Sequence, residues 1–380
     1  MLPYGGQLID DDDIRAVTQA LGDDWITTGP RVAEFERAVA ARVGARHGVA
    51  VNSGTAALHA AAFAAGIGEG DEVIVPPLTF AASANAVLYL GGRPVFCDVR
   101  ADTLNLDPVR AAEAIGPRTR AIITVDFGGQ PSDLGPLRDL ADRHGLVLID
   151  DAAHALGATY RGAPVGAQAH LTTLSFHPVK AITTGEGGMV LTDDAERAAR
   201  ARRFRNHGIS TEAAMRHDAG QWYYEMVDLG FNYRLPDIQC ALGISQLAKL
   251  DRFLARRTAI AERYRRELSA VPGVLMPAVA ADVTHAWHIF AILLDPEGVG
   301  VGRAEVFGAL RAEGIGVAVH YIPVYRHPYY QRLGYPTAMC PVAESAHERL
   351  LTLPLSARML DSDVADVVAA VSKVLRHFTR

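Results

Sequence analysis

Between Val49 and Asp193 the chain alternates short, almost continuous apolar runs with alanine-rich stretches. A strand covered on both faces loses the in-and-out alternation of a half-exposed one, so such runs predict buried strands. They fall at 72–75, 94–97, 121–125, 146–150, 172–176 and 189–192, with helices between them at 55–65, 81–89 and 133–144. Strands that alternate with helices in this way predict an α/β fold with a mostly parallel sheet.

From Pro236 to Ser269 the apolar spacing becomes helical and charges crowd in, which puts Asp251-Arg252 and Arg256-Arg257 on a wet face. This segment reads as the connector to a smaller α+β domain. A strand at 287–294, a helix at 303–313, a strand at 317–320 and a terminal helix at 362–377 would build it. The division expected is a large domain over 1–245 and a small one over 246–380.

Composition narrows the functions available. The 380 residues are 49% hydrophobic and carry a net charge of −6, ordinary for a globular protein and without the basic face of a nucleic-acid binder. Three scattered cysteines, Cys97, Cys240 and Cys340, form neither a metal knuckle nor a disulfide framework, so no metal is expected and a reducing cytoplasm fits. Residues 1–13 end in four aspartates and lack the pattern of a secretory signal. No apolar run reaches the roughly 18 residues of a membrane span, so no membrane partner is expected.

Candidate chemistry begins at Val147-Leu148-Ile149-Asp150-Asp151-Ala152-Ala153-His154 and continues at Ser175-Phe176-His177-Pro178-Val179-Lys180. An acid at the carboxyl end of a buried strand stands where open α/β sheets place their ligands. A lysine in an apolar, glycine-flanked segment between two buried strands is uncommon without a role, and burial lowers the pKa of its amine. Together they suit pyridoxal 5'-phosphate, whose ring nitrogen needs a carboxylate and whose aldehyde needs an amine. Asp151 and Lys180 are the candidates, although neighbouring Asp150 is a second possible acid. Asn52-Ser53-Gly54-Thr55-Ala56 puts a glycine turn before an alanine-rich helix, a place for a phosphate and also an ordinary N-cap. Ser175 would add a hydroxyl to that phosphate. Phe80 could stack on a pyridine ring or belong to the core, and His154 could touch the ring hydroxyl or be a core histidine.

These motifs, with Gly185-Glu186-Gly187-Gly188 and Gly230-Phe231-Asn232-Tyr233-Arg234-Leu235, occur in the order seen in the DegT/DnrJ/StrS sugar-nucleotide aminotransferases, which the chain resembles over nearly its whole length. The resemblance implies a pyridoxal-phosphate transferase of fold type I, like aspartate aminotransferase. It implies Lys180 as the Schiff-base lysine, Asp151 at the pyridine nitrogen, Gly54, Thr55, Ala56 and Ser175 around the phosphate, and Phe80 against the ring. Asn232 would reach the phosphate of a neighbouring subunit, making a homodimer with shared sites. His154 stands where many members have glutamine.

Ile182 to Gly188 and Val319-His320-Tyr321-Ile322-Pro323-Val324-Tyr325 look most like the pseudaminic-acid branch. That branch passes an amino group from L-glutamate to C4 of a UDP-linked 4-keto-6-deoxy-N-acetylhexosamine, giving UDP-4-amino-4,6-dideoxy-N-acetyl-altrosamine. Another keto-sugar, including the 4-amino-arabinose type, a cyclitol, or a regulator that binds without turnover are the alternatives. His207, Arg234, His320 and Tyr321 are candidates for holding the nucleotide sugar, in a pocket shaped by the loops 208–221 and 321–335.

Overall fold

The computed structural model describes residues 1–210 and 222–379, so most of the 208–221 loop lies outside the described residues. A seven-stranded sheet forms the centre. Its order across the sheet is His47–Val51, Gly188–Thr192, Leu171–Ser175, Val147–Asp151, Thr119–Val125, Glu72–Val75 and Arg93–Phe96. The five strands from Leu171–Ser175 to Arg93–Phe96 run parallel, and the other two add antiparallel pairs at one side. The apolar runs are therefore strands, each within a residue or two of its expected bounds. His47–Val51 was not expected, because a histidine and a glycine open it. It pairs with Gly188–Thr192 from His47 opposite Thr192 to Val51 opposite Gly188.

The Gly54–Ala64 helix is alanine-rich and buried on nearly every side, packed between the sheet and the Ala195–Arg205 helix. Small side chains are what let it approach both. At its start, two glycines allow close contacts. A Cβ on Gly188 would stand 2.3 Å from the Ser53 carbonyl oxygen, and one on Gly54 would stand 2.8 Å from the Ser175 Cβ. The glycines at 54 and 188 thus bring the helix start, the strand end at Ser175 and the following strand together.

Beyond residue 236 the expected connector is two helices, Asp237–Leu247 and Leu250–Leu268, broken where Lys249 turns to pair with Asp10 and Asp13. Three antiparallel strands follow, in the order Val274–Leu275, Phe290–Leu294 and Leu350–Leu353, covered by the Arg303–Ala312 and Asp361–Phe378 helices. The strand expected over 317–320 is not one. Ala318 makes only an isolated bridge to Thr352, and Leu350–Leu353 takes the place beside Phe290–Leu294. The run Val317-Ala318-Val319-His320 has strand character, but a strand forms only where a neighbour accepts its ladder. Arg257, expected on a wet face, is buried at 2% exposure. Among the described residues no helix is long and apolar enough to cross a membrane.

Candidate active site

A cavity of about 600 Å³ opens at the carboxyl ends of the parallel strands, between the central sheet and the segment 319–321. Gly54, Thr55, Phe80, Asp151, His154, Ser175, Lys180, His320 and Tyr321 all line it, so nine of the residues singled out in sequence meet there from five separate stretches of chain.

Asp151 ends the strand Val147–Asp151, and the two-residue period of a strand sends it and Asp150 to opposite faces. Asp151 alone lines the cavity. Its Oδ2 accepts the Ser83 hydroxyl at 2.7 Å, and its Oδ1 accepts the Ala153 amide at 3.3 Å. Thr79 lies 2.7 Å from Ser83, and because Ser83 spends its one hydroxyl proton on Asp151, Thr79 must donate to Ser83. Burial raises the Asp151 carboxyl, while Ser83, Ala153 and the charge of Lys180 act to lower it. The Thr79–Ser83 relay was not legible in sequence, since neither hydroxyl belongs to a motif with a recognisable spacing.

Asp150 lies on the far face, fully buried, with neither carboxylate oxygen partnered. Burial first, then repulsion from Asp126 and Asp151, pushes its carboxyl well above 3.8, and Asp126 is pushed up to about 7. Unfolding returns both groups to their ordinary value. The folded chain therefore binds more protons, and its stability falls as pH rises from about 4 toward 7. Asp150→Asn removes one charge and can donate to Asp126 without needing a proton. The variant is expected to melt about 2–4 °C above the parent at pH 8, with little difference at pH 4.5 and activity retained. Thermal melts at the two pH values check this, and equal melting points at pH 8 would refute it.

Lys180 stands on the connection between Leu171–Ser175 and Gly188–Thr192, half-buried on the cavity wall. Its amine is lowered to about 8, chiefly by burial and further by Arg257, against the attraction of Asp151. The chain has only two other lysines. Lys249 is paired with Asp10 and Asp13, and Lys373 is exposed beside Glu313. Ser53, also on the cavity lining, caps the Gly54–Ala64 helix by accepting the Ala56 amide at 3.0 Å. Ala56, whose amide is taken by this bond, is buried and does not line the cavity, while Gly54 and Thr55 do so at the open first turn.

His154 packs against His288 with ring centroids 4.1 Å apart, and its Nε2 meets the Tyr321 hydroxyl at 3.1 Å. Burial holds both histidines well below 6.5, neutral at physiological pH. His320 pairs through Nδ1 with the Thr352 hydroxyl at 2.8 Å and is lowered to about 4, again by burial. Phe80 is 63% exposed at the rim, so it is not a core residue of this chain. His207, Asn232 and Arg234 do not line this cavity. The Asn206–Asn232 bridge and the contacts of His59 with Phe204, Phe231 and Tyr233 hold their segment against the Gly54–Ala64 helix, where the Asn52 amide donates to the Tyr233 carbonyl at 2.9 Å. There Arg234 donates to the Asn206 side chain at 2.9 Å.

The donor set fits pyridoxal phosphate. An acid and a low-pKa amine share one cavity, and a capped helix start beside Ser175, kept open by Gly54, offers a phosphate cradle. Asp151 would face the ring nitrogen, Lys180 the aldehyde carbon, and Gly54, Thr55 and Ser175 the phosphate.

Comparison with known proteins supports this reading. A model of the DegT/DnrJ/EryC1/StrS aminotransferase family matches residues 7–372. The spore coat polysaccharide biosynthesis protein SpsC of Bacillus subtilis is 45% identical over 378 residues, 99% of this chain and 97% of that protein. Helicobacter pylori PseC, an aminotransferase involved in the biosynthesis of pseudoaminic acid, superposes with a TM-score of 0.92 at 30% identity, covering 99% of this chain and 100% of PseC. The putative sugar aminotransferase Spr1654 of Streptococcus pneumoniae, in its PMP form, superposes with a TM-score of 0.93 at 30% identity over the full length of both.

Proposed function

Because this chain belongs to the DegT/DnrJ/EryC1/StrS aminotransferase family, we propose that it moves an amino group from L-glutamate to the C4 ketone of a nucleotide-linked keto-sugar, with pyridoxal 5'-phosphate as cofactor. The observation that carries this is the convergence of Asp151, Lys180 and the Gly54–Ala64 helix start on one cavity. When bound, pyridoxal phosphate supplies the electron sink and carries the amino group between the two substrates. The chain does the rest. Asp151, held by Ser83 and Ala153, keeps a proton on the ring nitrogen. Lys180 Nζ takes the proton from the α-carbon of glutamate, which leaves as 2-oxoglutarate, and delivers one to C4 of the sugar. His320 and Tyr321, on the wall farthest along the chain from the phosphate cradle, are proposed to meet the sugar.

The preferred substrate is UDP-2-acetamido-2,6-dideoxy-hexos-4-ulose, supported by the likeness to PseC. The higher identity to SpsC favours a second reading, amination of another keto-sugar destined for a polysaccharide. We also propose the domain division at 245/246, and a homodimer that acts in the cytoplasm. Trp222, Met226, Val227 and Leu229 are more than half exposed just ahead of Asn232, an apolar stretch of the kind that partners cover. In such a dimer Asn232, and with it His207 and Arg234, would serve the neighbouring cavity.

The test is an absorbance scan of the cofactor-loaded protein before and after L-glutamate, followed by UDP- and TDP-linked 4-keto-sugars with mass detection of the product. Glutamate is expected to bleach the visible band, and the right keto-sugar to restore it with formation of an amino sugar. A band that glutamate leaves unchanged would identify a binding protein without turnover.

A further inference from the structure

Arg257 stands out among the buried groups. It is 2% exposed, and among the described residues no carboxylate pairs with it. Its guanidinium is ringed by backbone oxygens instead. Nη1 is shared among the carbonyls of Trp287, His288 and Leu355, each at 3.2 Å. Nη2 lies 3.4 Å from the Val179 carbonyl and 3.5 Å from that of Lys180. These oxygens belong to three stretches: the connection bearing Lys180, the run into Phe290–Leu294, and the run out of Leu350–Leu353. The last two flank strands that already pair with each other, and Arg257 adds the connection bearing Lys180 to them. A cation buried without a counter-ion costs stability that an apolar side chain of similar volume would not, so packing alone does not account for an arginine here. Burial lowers it only to about 10, which leaves it charged at neutral pH.

We propose that Arg257 is a positioning residue for Lys180, tying the lysine's backbone to the C-terminal part of the chain and setting a fixed positive charge behind its amine. The proposal rests on Lys180 being the reactive amine. Few charged or titratable groups face that amine. Asp151, at the end of its strand, attracts it; Arg257, from the Leu250–Leu268 helix, repels it. His154, His288 and His320 are kept neutral by burial, as are the hydroxyls of Tyr4 and Tyr321, so none of these contributes an opposing charge, and His177 and Glu186 also line the cavity. A fixed cation disfavours a second one nearby, and the neutral amine is the form that adds to an aldehyde and accepts a proton. The carbonyl contacts act separately, by limiting where the lysine backbone can sit.

Two substitutions separate charge from contact. The full chain, stripped of cofactor, is mixed with pyridoxal phosphate, and the rate at which the visible band appears is followed against pH. R257Q keeps hydrogen-bond donors and removes the charge. Its pH midpoint is expected to rise, with capture at pH 7 slowed about tenfold. R257K keeps the charge and loses the planar fork. It is expected to hold the parent midpoint while amide hydrogen exchange over 178–184 accelerates. An unshifted midpoint in R257Q, or unchanged exchange in R257K, overturns the proposal, and the R257K arm decides even if R257Q folds poorly. K180A run in parallel should form no band; if it does, the assignment of Lys180 has failed rather than that of Arg257.

Discussion

Lys180→Ala is expected to abolish the visible absorbance of the cofactor-loaded protein and to slow amino transfer on the order of 10⁴-fold. The size of the effect follows from how few substitutes the chain holds. Lys249 and Lys373 are committed to Asp10, Asp13 and Glu313, away from the cavity. No other amine can take over by a small rearrangement. Lys180 is also tuned for the work. With its amine lowered to about 8, roughly a tenth is neutral at pH 7, against less than about 0.1% for an ordinary lysine. Activity limited by the free amine should therefore rise about tenfold per pH unit below about 8 and level off above it. Spectra of the loaded variant and single-turnover rates with glutamate measure both points. Survival of the band, or a rate within a hundredfold of the parent, would remove Lys180 from the reaction.

The second large effect is expected from Asp151→Asn, a loss of about 10²–10³-fold in the glutamate half-reaction with the fold intact. An amide matches the carboxylate in shape but cannot hold a positive charge on a ring nitrogen. Ser83 and the Ala153 amide hold the native group in place, so the loss should appear in the rate more than in the affinity for glutamate. The neighbouring Asp150→Asn serves as the control. It changes an identical residue one position away and should leave the rate untouched. A rapid glutamate half-reaction in Asp151→Asn, or a slow one in Asp150→Asn, would mean that the other aspartate faces the cofactor.

That pair shows why a sequence can mark a site and still leave its chemistry open. Both aspartates end the same apolar run, and nothing local ranks them. The strand period separates their faces, but which face looks into a cavity depends on what the rest of the chain stacks against the sheet. Here it is the Gly54–Ala64 helix and the 319–321 segment that enclose the Asp151 side. Phe80 was open in the same way, and its 63% exposure at the rim takes it out of the core of this chain. Ser83 and Thr79 were invisible for a different reason. A hydroxyl on a short helix becomes a carboxylate's partner only through a contact spanning 68 residues between Ser83 and Asp151.

The sequence by itself determined the parts whose signal is local. Continuous apolar runs specify buried parallel strands, alanine-rich stretches specify a close-packed helix, and Ser53-Gly54 before one of them specifies a capped start. Together with Lys180 and the acid pair they pointed to the fold class and the cofactor chemistry, while the family came from the resemblance carried by the order of the motifs from Asn52 to Leu235. Tertiary structure alone decided what depends on partners distant in the chain. It gave a ladder to Leu350–Leu353 and withheld one from 317–320, turned Asp151 rather than Asp150 toward the cavity, and kept His207, Asn232 and Arg234 off the cavity wall. It also drew Arg257 from an apparently wet helical face into a ring of five carbonyls. A charge pattern along one helix tells which faces are polar. Only the packed neighbours tell whether a polar face meets water or backbone oxygens that need a cation.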